Sequence, residues 1–502
     1  MGNKGFIKFT QLFLWALTSV SLIVLLTHNK TEVHSLDVFS TTLAGIKFAI
    51  GLRFDILSSL LFFMITALGA GIGHYSLRYL DGDDRQSYFY KHLLGIILSA
   101  SLMVLATNLL MFFLTWLAIS YHLHKLLVYF ADRPQALLAA RKKAIVSRLG
   151  DVALLAAIAL SYSLFGTFEF SEIFAQAQAI LPNSESQGTI SLIGILVAIG
   201  SLTKSAQFPF HFWLPDTMET PTPVSAIMHA GVINAGGFLI IRMSPVFQHA
   251  LAPHIILAVV GTISAVFGAL CMITQNDIKK KLAYSTISQM GMMMFACGIG
   301  AYSAAMFHIF AHSFYKAYAF LSTGKLVEES KKIGLSIQSP SVATIMLAGL
   351  TGFAAIASGA LYDQGQYIPT ATYGAILFLG LFQSLSAMNS AKVPLFRSVL
   401  QIAGTMLLAT GIYLGIEQSL SAYLGEFVPS LLGSPFDRYT LTAICALSFA
   451  AYFGSFVLNA RLMNINTPFL ERTYMYLKNG GYFGARSTMF LTRLNLQPQT
   501  RR

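Results

Sequence analysis

The chain has 502 residues, of which 55% are hydrophobic and 11% are charged, and its formal net charge is +12. Soluble domains carry about 25% charged residues, so this composition excludes an ordinary soluble protein and indicates one that crosses a membrane many times. The basic residues collect in loops on one side of the predicted membrane, as described below, which argues against nucleic-acid binding. Cys271, Cys297 and Cys445 stand in apolar runs without paired spacing, which indicates neither a disulfide framework nor a zinc cluster.

Apolar runs long enough to span a bilayer recur along the chain. About fourteen such runs predict an all-α polytopic membrane protein. They lie near residues 6–27, 54–77, 91–107, 109–130, 143–166, 188–208, 221–241, 254–274, 282–300, 303–323, 341–361, 371–388, 399–416 and 439–460. The first run lacks a small-residue cleavage site and is predicted to be a membrane helix, not a signal peptide. Residues 36–53 alternate weakly between apolar and polar and predict a hairpin on the outer surface.

The charges of the connecting loops give the orientation. Basic residues concentrate on the side of the N-terminus, at Lys4, Lys8, Arg78, Arg85, Arg133, Arg141, Lys142, Lys143, Lys279, Lys280, Lys281, Lys325, Lys331, Lys332, Lys392 and Arg397, and in the tail after residue 460. Loops 167–187 and 417–438 on the opposite side carry acidic residues and one basic residue, Arg438. This asymmetry follows the positive-inside rule, so we expect both termini in the cytoplasm.

Lys204 lies inside the predicted span 188–208, and the chain after it is broken by Pro209, Pro215, Pro221 and Pro223. A charge at the centre of a membrane helix costs about 2.5–3.5 kcal/mol. Broken helices are tolerated in a bilayer only against protein or a water-filled cavity. Together these features predict a polar path through the membrane. The alternative is a lysine whose side chain extends to the membrane surface.

His308, His312 and Lys316 follow one another at intervals of four residues in an apolar run. This spacing places them on one face of a helix. A lysine removed from water gives up its proton more readily, and histidine titrates near neutrality, so the three form a candidate proton relay. Two alternatives are a metal site, since His-x3-His is also a metal-ligand spacing, and hydrogen bonds between helices.

Further polar residues stand in or beside the predicted spans. His229 lies two turns into the helix after the proline-rich break, with Thr220 as its predicted N-cap and Pro221 in its first turn. Asp55 opens the second span and Asp151 the fifth. A carboxylate beside an embedded lysine would lower the cost of burying both.

Asp216 and Glu219 flank the helix break on the inner side. They are candidates for the point at which protons reach the path. The alternative is two solvated loop carboxylates without a role in conduction.

Three motifs carry a resemblance to a known family: KSAQFPFHFWLPDTMETPTPVSAIMHA, QNDIKKKLAYSTISQMG and FHIFAHSFYKAYAFL. They resemble the proton-conducting antiporter-like membrane subunits of respiratory complex I and of Mrp antiporters, over about residues 50–330. The resemblance implies two inverted five-helix repeats, each with a broken helix. It matches Lys204 to the broken-helix lysine, His229 to a bridging histidine, and Asp151 to the acid of an R-x-G-D motif. Likewise it matches Asp55 to an acid of the preceding helix, and His308, His312 and Lys316 to the central relay.

The resemblance also implies a division of the chain. We expect N-terminal helices and the hairpin in residues 1–90, one repeat in 91–242, a second in 254–416, a final helix in 417–460 and a basic cytoplasmic tail in 461–502.

The sequence departs from the family pattern in three places. The family has an acid directly after the tryptophan that corresponds to Trp116, but Leu117 stands here. His122 and His124 are candidates to replace that acid, or they cap the helix. In the second broken helix only Asp363 corresponds to the expected charge, and we expect no long C-terminal lateral helix.

This reduced pattern resembles the membrane subunits of two-part DAB inorganic-carbon uptake complexes. It implies a cation-conducting subunit, with the proton as the favoured ion, in the bacterial cytoplasmic membrane. It also implies a large soluble DabA-type partner that resembles a zinc carbonic anhydrase, so we expect zinc in the partner, and in this chain neither cofactor nor enzymatic activity. The alternatives are a subunit of a complex I, Mrp or hydrogenase-type assembly, and a non-conducting anchor for a peripheral enzyme.

The tail from NTPFLERTYMYLKNGGYFGARSTMFLTRLN onward mixes aromatic and basic residues. Aromatic residues and arginine are favoured at protein interfaces, which predicts a docking surface for that partner. The alternative is an amphipathic segment lying on anionic lipid.

The orientation is tested with cysteines introduced at Gln176 and Lys331. In intact cells an impermeant thiol reagent should label the first, in an external loop, and leave the second unlabelled. Labelling of the second position alone would contradict the predicted topology.

Overall fold

A computed structural model describes residues 2–28, 33–43, 46–180, 185–324, 371–376, 379, 415, 419, 438–462 and 465–493. Predictions for Asp363, for loops 324–340 and 417–438, and for most of the second repeat therefore lie outside the described residues. The boundaries proposed for the five divisions of the chain stay predictions.

The described residues form helices and one β-hairpin. The helices are α1 (Gly2–Thr27), α2 (Ile56–Tyr79), α3 (Gln86–Val104), α4 (Leu109–Leu127), α5 (Pro134–Phe165), α6 (Phe170–Ala179), α7 (Gln187–Lys204), α8 (Thr222–Ala230), α9 (Ala235–Phe247), α10 (Leu251–Thr274), α11 (Ile278–Gly298), α12 (Tyr302–Leu321), α13 (Arg438–Leu462), α14 (Pro468–Lys478) and α15 (Phe483–Arg493). Strands β1 (His34–Leu43) and β2 (Ile46–Phe54) pair antiparallel.

Nine helical segments in the described ranges are long and apolar enough to cross a membrane. The predicted class, a helical multi-pass membrane protein, is confirmed. The count of about fourteen spans and the inverted repeat stay predictions. The most enclosed of these segments, Thr222–Phe247, is 94% buried, so the helices after the proline-rich break occupy the centre of the molecule.

The predicted hairpin over 36–53 is confirmed, and it rests on the turn between α3 and α4. The Asn108 side-chain amide donates to the Ala49 carbonyl at 2.8 Å, and its carbonyl oxygen accepts from the Met111 amide at 2.9 Å. Asn108 therefore caps α4 and holds β2 at once. This also confirms the predicted division of residues 91–130 into two helices.

Two predicted helix starts are wrong. Helix α5 begins at Pro134, nine residues before the predicted 143, so Asp151 lies inside the helix instead of opening it. The basic run that indicated a loop lies in this added helical segment, where Lys142 is 3% exposed and Lys143 4%. Their inward orientation, which the helix sets and composition does not reveal, is the reason that the loop assignment fails.

The second wrong start concerns α8. The helix begins at Thr222 with Pro221 as its N-cap, so Thr220 is not the cap. Its hydroxyl instead donates to the Thr217 carbonyl at 2.9 Å and lies 3.1 Å from the Ser225 hydroxyl. A short 3-10 helix, Thr217–Glu219, occupies the residues before it and displaces the start of α8.

Candidate ion pathway

The break after α7 brings a short irregular segment into the protein interior. Helix α7 ends at Lys204, and two 3-10 turns precede α8. The freed backbone groups have protein partners: the Phe208 amide donates to the Ser264 hydroxyl at 2.9 Å, and the Gln207 amide donates to the Leu202 carbonyl at 2.9 Å. This meets the condition for a broken helix in a bilayer.

Lys204 is 5% exposed, and its amine is held by α4. It donates to the Trp116 carbonyl at 3.2 Å and to the Ser120 hydroxyl at 2.8 Å. The amine also lies 4.1 Å from the centre of the Trp116 ring, a distance at which a cation is attracted to an aromatic face. The alternative that Lys204 extends to the membrane surface is therefore wrong.

Asp151 lies on the other side of the same tryptophan. The Trp116 indole N–H donates to its carboxylate at 2.9 Å, and Arg148 pairs with the second oxygen at 2.7 Å through a side chain that is 62% exposed. One indole thus contacts both the carboxylate and the lysine. Although Leu117 replaces the acid expected after Trp116, α5 supplies a carboxylate to the same cluster.

Sequence reasoning missed two members of this cluster. Lys143, assigned to a loop, donates to the Ser120 carbonyl at 3.1 Å, so Ser120 accepts from two lysines. The spacing carried a signal for both residues: Ser120 follows Trp116 by four positions, and Lys143 precedes Asp151 by eight, so each lies on the same helix face as its partner.

The two histidines considered as replacements for the missing acid lie elsewhere on α4. The Nδ1 atom of His122 lies 3.0 Å from that of His92 on α3, so replacement by His122 is wrong. His124 stands in the last turn of α4, the position expected for a residue near the helix end.

His308, His312 and Lys316 lie on α12 and are buried, with exposures of 8%, 5% and 0%. The two imidazole rings stack with centres 5.8 Å apart, as the predicted shared helix face requires. His308 Nδ1 lies 2.7 Å from the Tyr373 hydroxyl, and Lys316 donates to the Leu282 carbonyl at 3.2 Å. In the described ranges no group of three potential metal ligands occurs.

His229 on α8 is fully buried and faces α11 and α12. Its Nδ1 atom lies 3.1 Å from the Thr286 hydroxyl, and its ring stacks on Phe320 at 4.4 Å. Its Nε2 atom and both ring nitrogens of His312 are buried without a protein hydrogen-bond partner. Buried polar atoms of this kind are usually hydrogen-bonded to water. This indicates bound water between α8 and α12.

Asp55 is fully buried, and its oxygen atoms are saturated by contacts. Its carboxylate accepts from the Ser58 amide at 2.8 Å, from Arg53 at 2.8 Å and from Arg242 at 2.5 and 3.2 Å. The ion pairs join β2, α2 and α9. These contacts favour a structural role, and the predicted role in the ion path stays a prediction.

Asp216 and Glu219 each form an ion pair with a basic side chain at the helix break. Lys142 donates to Asp216 at 2.6 Å and Arg133 to Glu219 at 2.9 Å. A polar cavity of about 290 Å³ adjoins Asp216 and is also lined by Lys142 and His211. A water-accessible carboxylate is thus present at the position predicted for proton access, while Glu219 forms a surface ion pair.

The C-terminal helices α14 and α15 close one side of this cavity. Lys142 donates a second hydrogen bond, of 2.9 Å, to the Gly484 carbonyl. The ring of Phe483 lies 5.1 Å from that of His211 and 5.3 Å from that of Phe208. The tail is therefore docked directly on the broken segment.

Comparison with known proteins gives matches to two families. Residues 106–360 match "NADH:quinone oxidoreductase/Mrp antiporter, TM", and residues 41–90 match "NADH-Ubiquinone oxidoreductase (complex I), chain 5 N-terminus". The solved "Structure of Mrp complex from Dietzia sp. DQ12-45-1b" contains a chain with a TM-score of 0.59 and 23% identity, over 95% of this chain and 53% of that one. At this identity the likeness concerns the fold alone.

Curated relatives are more similar. The "Probable inorganic carbon transporter subunit DabB2" of Halothiobacillus neapolitanus is 35% identical over 390 residues, which are 76% of this chain and 68% of the relative. The "Probable inorganic carbon transporter subunit DabB" of Hydrogenovibrio crunogenus is 38% identical over 64% of this chain and 62% of the relative. "NADH-ubiquinone oxidoreductase chain 5" of Dictyostelium citrinum is 34% identical over 67% and 52%. The chain thus spans about half to two thirds of the length of these relatives, and the resemblance read from the motifs is confirmed.

The buried ion pair of Asp55 gives a stability prediction. Arg242→Ala should lower the free energy of unfolding by about 3–5 kcal/mol, because it leaves a buried carboxylate short of a partner. Thermal unfolding of the purified protein in detergent measures the effect. The control is Arg133→Ala, whose ion pair with Glu219 has side chains 46% and 41% exposed and should contribute less than about 1 kcal/mol. Equal, small effects of both changes would contradict a structural role for Asp55.

Proposed function

Because the chain belongs to the NADH:quinone oxidoreductase/Mrp antiporter family of membrane subunits, we propose that it conducts protons across a membrane as the membrane subunit of an inorganic carbon uptake complex. The complex would take up CO2 or bicarbonate at the bacterial cytoplasmic membrane, with both termini of this chain in the cytoplasm. The observation that carries the proposal is the pair of buried lysines, Lys204 and Lys316, each in a cluster of polar groups inside the membrane-spanning region.

A proton path needs groups that can release and regain a proton, and it needs contacts between them. In the first cluster Lys204 and Asp151 both form a hydrogen bond with Trp116. In the second, Lys316 follows His308 and His312 along α12. Between the two, the Asn234 amide donates to the Ser313 hydroxyl at 2.7 Å. This bond joins the segment after α8 to the relay helix. His229, with one ring nitrogen free of protein partners, lies beside that junction.

Inorganic carbon uptake is favoured over redox-driven pumping by the altered first cluster. A full pumping cycle needs charges that alternate between two partners, and Leu117 removes the acid that the family places beside the lysine. Downhill proton flux that biases the conformation of a partner needs fewer such charges. The relatives named DabB and DabB2 support this choice, whereas relatives named as complex I chain 5 support the alternative of a complex I, Mrp or hydrogenase-type subunit.

The chemistry on carbon belongs, in this proposal, to a large soluble zinc-binding subunit of the DabA type on the cytoplasmic face. The described part of this chain has no metal-ligand cluster, so the proposal assigns the zinc to that partner and makes this chain a transporter subunit. Helices α14 and α15 present Phe469, Met475 and Phe490 to the outside, with exposures of 72%, 48% and 61%. Exposed aromatic residues interleaved with arginines suit a protein interface.

The lysines give a direct test of conduction. Lys204→Ala or Lys316→Ala should abolish proton flux while the protein still inserts and binds its partner, because each change removes a titratable group from a water-excluded path. His308→Ala should reduce flux less, since water can fill the gap. Proton uptake into proteoliposomes under an imposed potential measures the effect. Lys281→Met, on an exposed side chain at the start of α11, is the control. Unchanged flux in both lysine variants would mean that the two lysines are structural and that the proposed path is wrong.

The carbon assignment is tested in a cell that lacks carbonic anhydrase. Co-expression of this chain with a soluble DabA-type subunit should permit growth in ordinary air, and an uncoupler should stop bicarbonate accumulation because it collapses the driving gradient. The control is expression of each subunit alone, which should not permit growth. Rescue by this chain alone, or accumulation indifferent to the uncoupler, would contradict the proposal.

A further inference from the structure

We infer that Lys143 and Lys204 share one proton across Ser120, so that Lys143 is a second proton carrier of the path. The inference rests on the proposed proton conduction. It concerns a lysine that the resemblance to the family does not assign, and it explains how the first cluster works without an acid at position 117.

The geometry brings both amines to one residue. Lys143 donates to the Ser120 carbonyl at 3.1 Å, and Lys204 donates to the Ser120 hydroxyl at 2.8 Å. Both lysines are almost fully buried, with exposures of 4% and 5%. A serine hydroxyl donates and accepts hydrogen bonds, so that of Ser120 can exchange a proton with Lys204, while the carbonyl of the same residue holds the Lys143 amine next to it.

The packing of α5 on α7 holds this arrangement. A Cβ atom at Gly150 would collide with the Thr203 hydroxyl, and one at Gly200 would contact the Gly150 carbonyl. The two helices therefore pack closely at Gly150, with Lys143 and Asp151 on one and Lys204 on the other. Close approach through small residues is the usual packing mode of membrane helices.

The charges in the cluster favour a single proton. Asp151 is the carboxylate that contacts the cluster, through Trp116. Lys142 has its own carboxylate in Asp216, and Arg148 extends a largely exposed side chain toward solvent. Two ammonium groups beside one buried carboxylate would repel each other in a medium that screens charge poorly. Because Arg148 already pairs with Asp151 at 2.7 Å, one ammonium and one neutral amine are favoured over two buried ammonium groups.

The transfer leaves the total charge unchanged. The Lys204 ammonium loses one proton and becomes a neutral amine, while the Lys143 amine gains one and becomes an ammonium, and the reverse step restores the start. Lys142, the preceding residue on α5, lies at the edge of the cavity of about 290 Å³. Helix α5 thus places one lysine amine at the water-accessible cavity and the next one in the buried cluster.

A flux experiment separates a carrier from a fixed charge. The full chain, assembled with its soluble partner in proteoliposomes, is compared with Lys143→Met, Lys143→Arg, Ser120→Ala and Ser120→Thr. Both Lys143 variants should lose about 100-fold in proton flux, in the range that a positioned proton donor contributes. Arginine fails because it keeps its charge but does not release its proton. Ser120→Thr should keep most of the flux and Ser120→Ala should not, while Lys281→Met stays at the wild-type rate. Wild-type flux in Lys143→Arg would overturn the inference.

A stability experiment tests proton sharing without any need for conduction. If one proton serves both amines, Lys143→Met and Lys204→Met should each change the unfolding temperature little, because the remaining lysine stays charged beside Asp151. The double variant should lower it by clearly more than the sum of the two single shifts, since the carboxylate then keeps only Arg148, whose side chain is largely exposed. Additive shifts would overturn the inference. Absence of flux in the wild-type protein would instead defeat the proposed function, and the stability cycle would still decide whether the proton is shared.

Discussion

The burial of the Lys204 ammonium is the constraint on which the rest of the structure depends. In a bilayer its cost is met only by direct partners, and here these are the Trp116 carbonyl, the Ser120 hydroxyl and the indole face. To reach them, α7 has to end at the lysine and α5 has to pack closely on α7 at Gly150. The broken backbone that follows then needs partners of its own, which Ser264 and Leu202 supply. The helix break, the close packing and the polar interior are thus arranged around one buried amine.

The buried carboxylates divide into two kinds according to the cation beside them. Asp55 is enclosed by Arg53 and Arg242, and arginine keeps its proton in proteins, so that site holds its charge permanently and ties the hairpin to the helices. Asp151 is also paired with an arginine, Arg148, but that side chain is 62% exposed, and on its buried side Asp151 faces an indole N–H and, beyond it, lysines, which can exist in either protonation state. A protein that conducts protons needs both kinds. Fixed pairs keep the architecture rigid, and exchangeable groups change charge within it.

Patterns along one element were predictable from the sequence, and contacts between elements were not. The four-residue spacing of α12 correctly predicted a shared face for His308, His312 and Lys316, because a helix determines it locally. The Lys142 and Lys143 pair resembled an inside loop, because basic composition does not reveal which way a side chain points. Contacts with other elements bury them: Lys143 lies against Ser120 of α4, and Lys142 against Asp216 and Gly484. In the same way the absence of an acid at Leu117 was visible in the sequence, whereas its counterpart on α5 depends on where Trp116 lies in space.

The position of the tail bears on how conduction and partner binding can be coupled. Coupling requires an element that has two conformations, whose equilibrium is shifted both by the ion path and by the bound partner. The partner shifts that equilibrium only if it binds the two conformations with different affinities. The segment that joins α14 to α15 has Gly480 and Gly481 at positive φ, a backbone region in which other residues are strained. The Gly484 carbonyl that follows completes the contacts of Lys142, whose other partner is Asp216. A partner bound to the exposed face of these helices would therefore be linked to the carboxylate at the cavity through two hydrogen bonds, both of them made by Lys142.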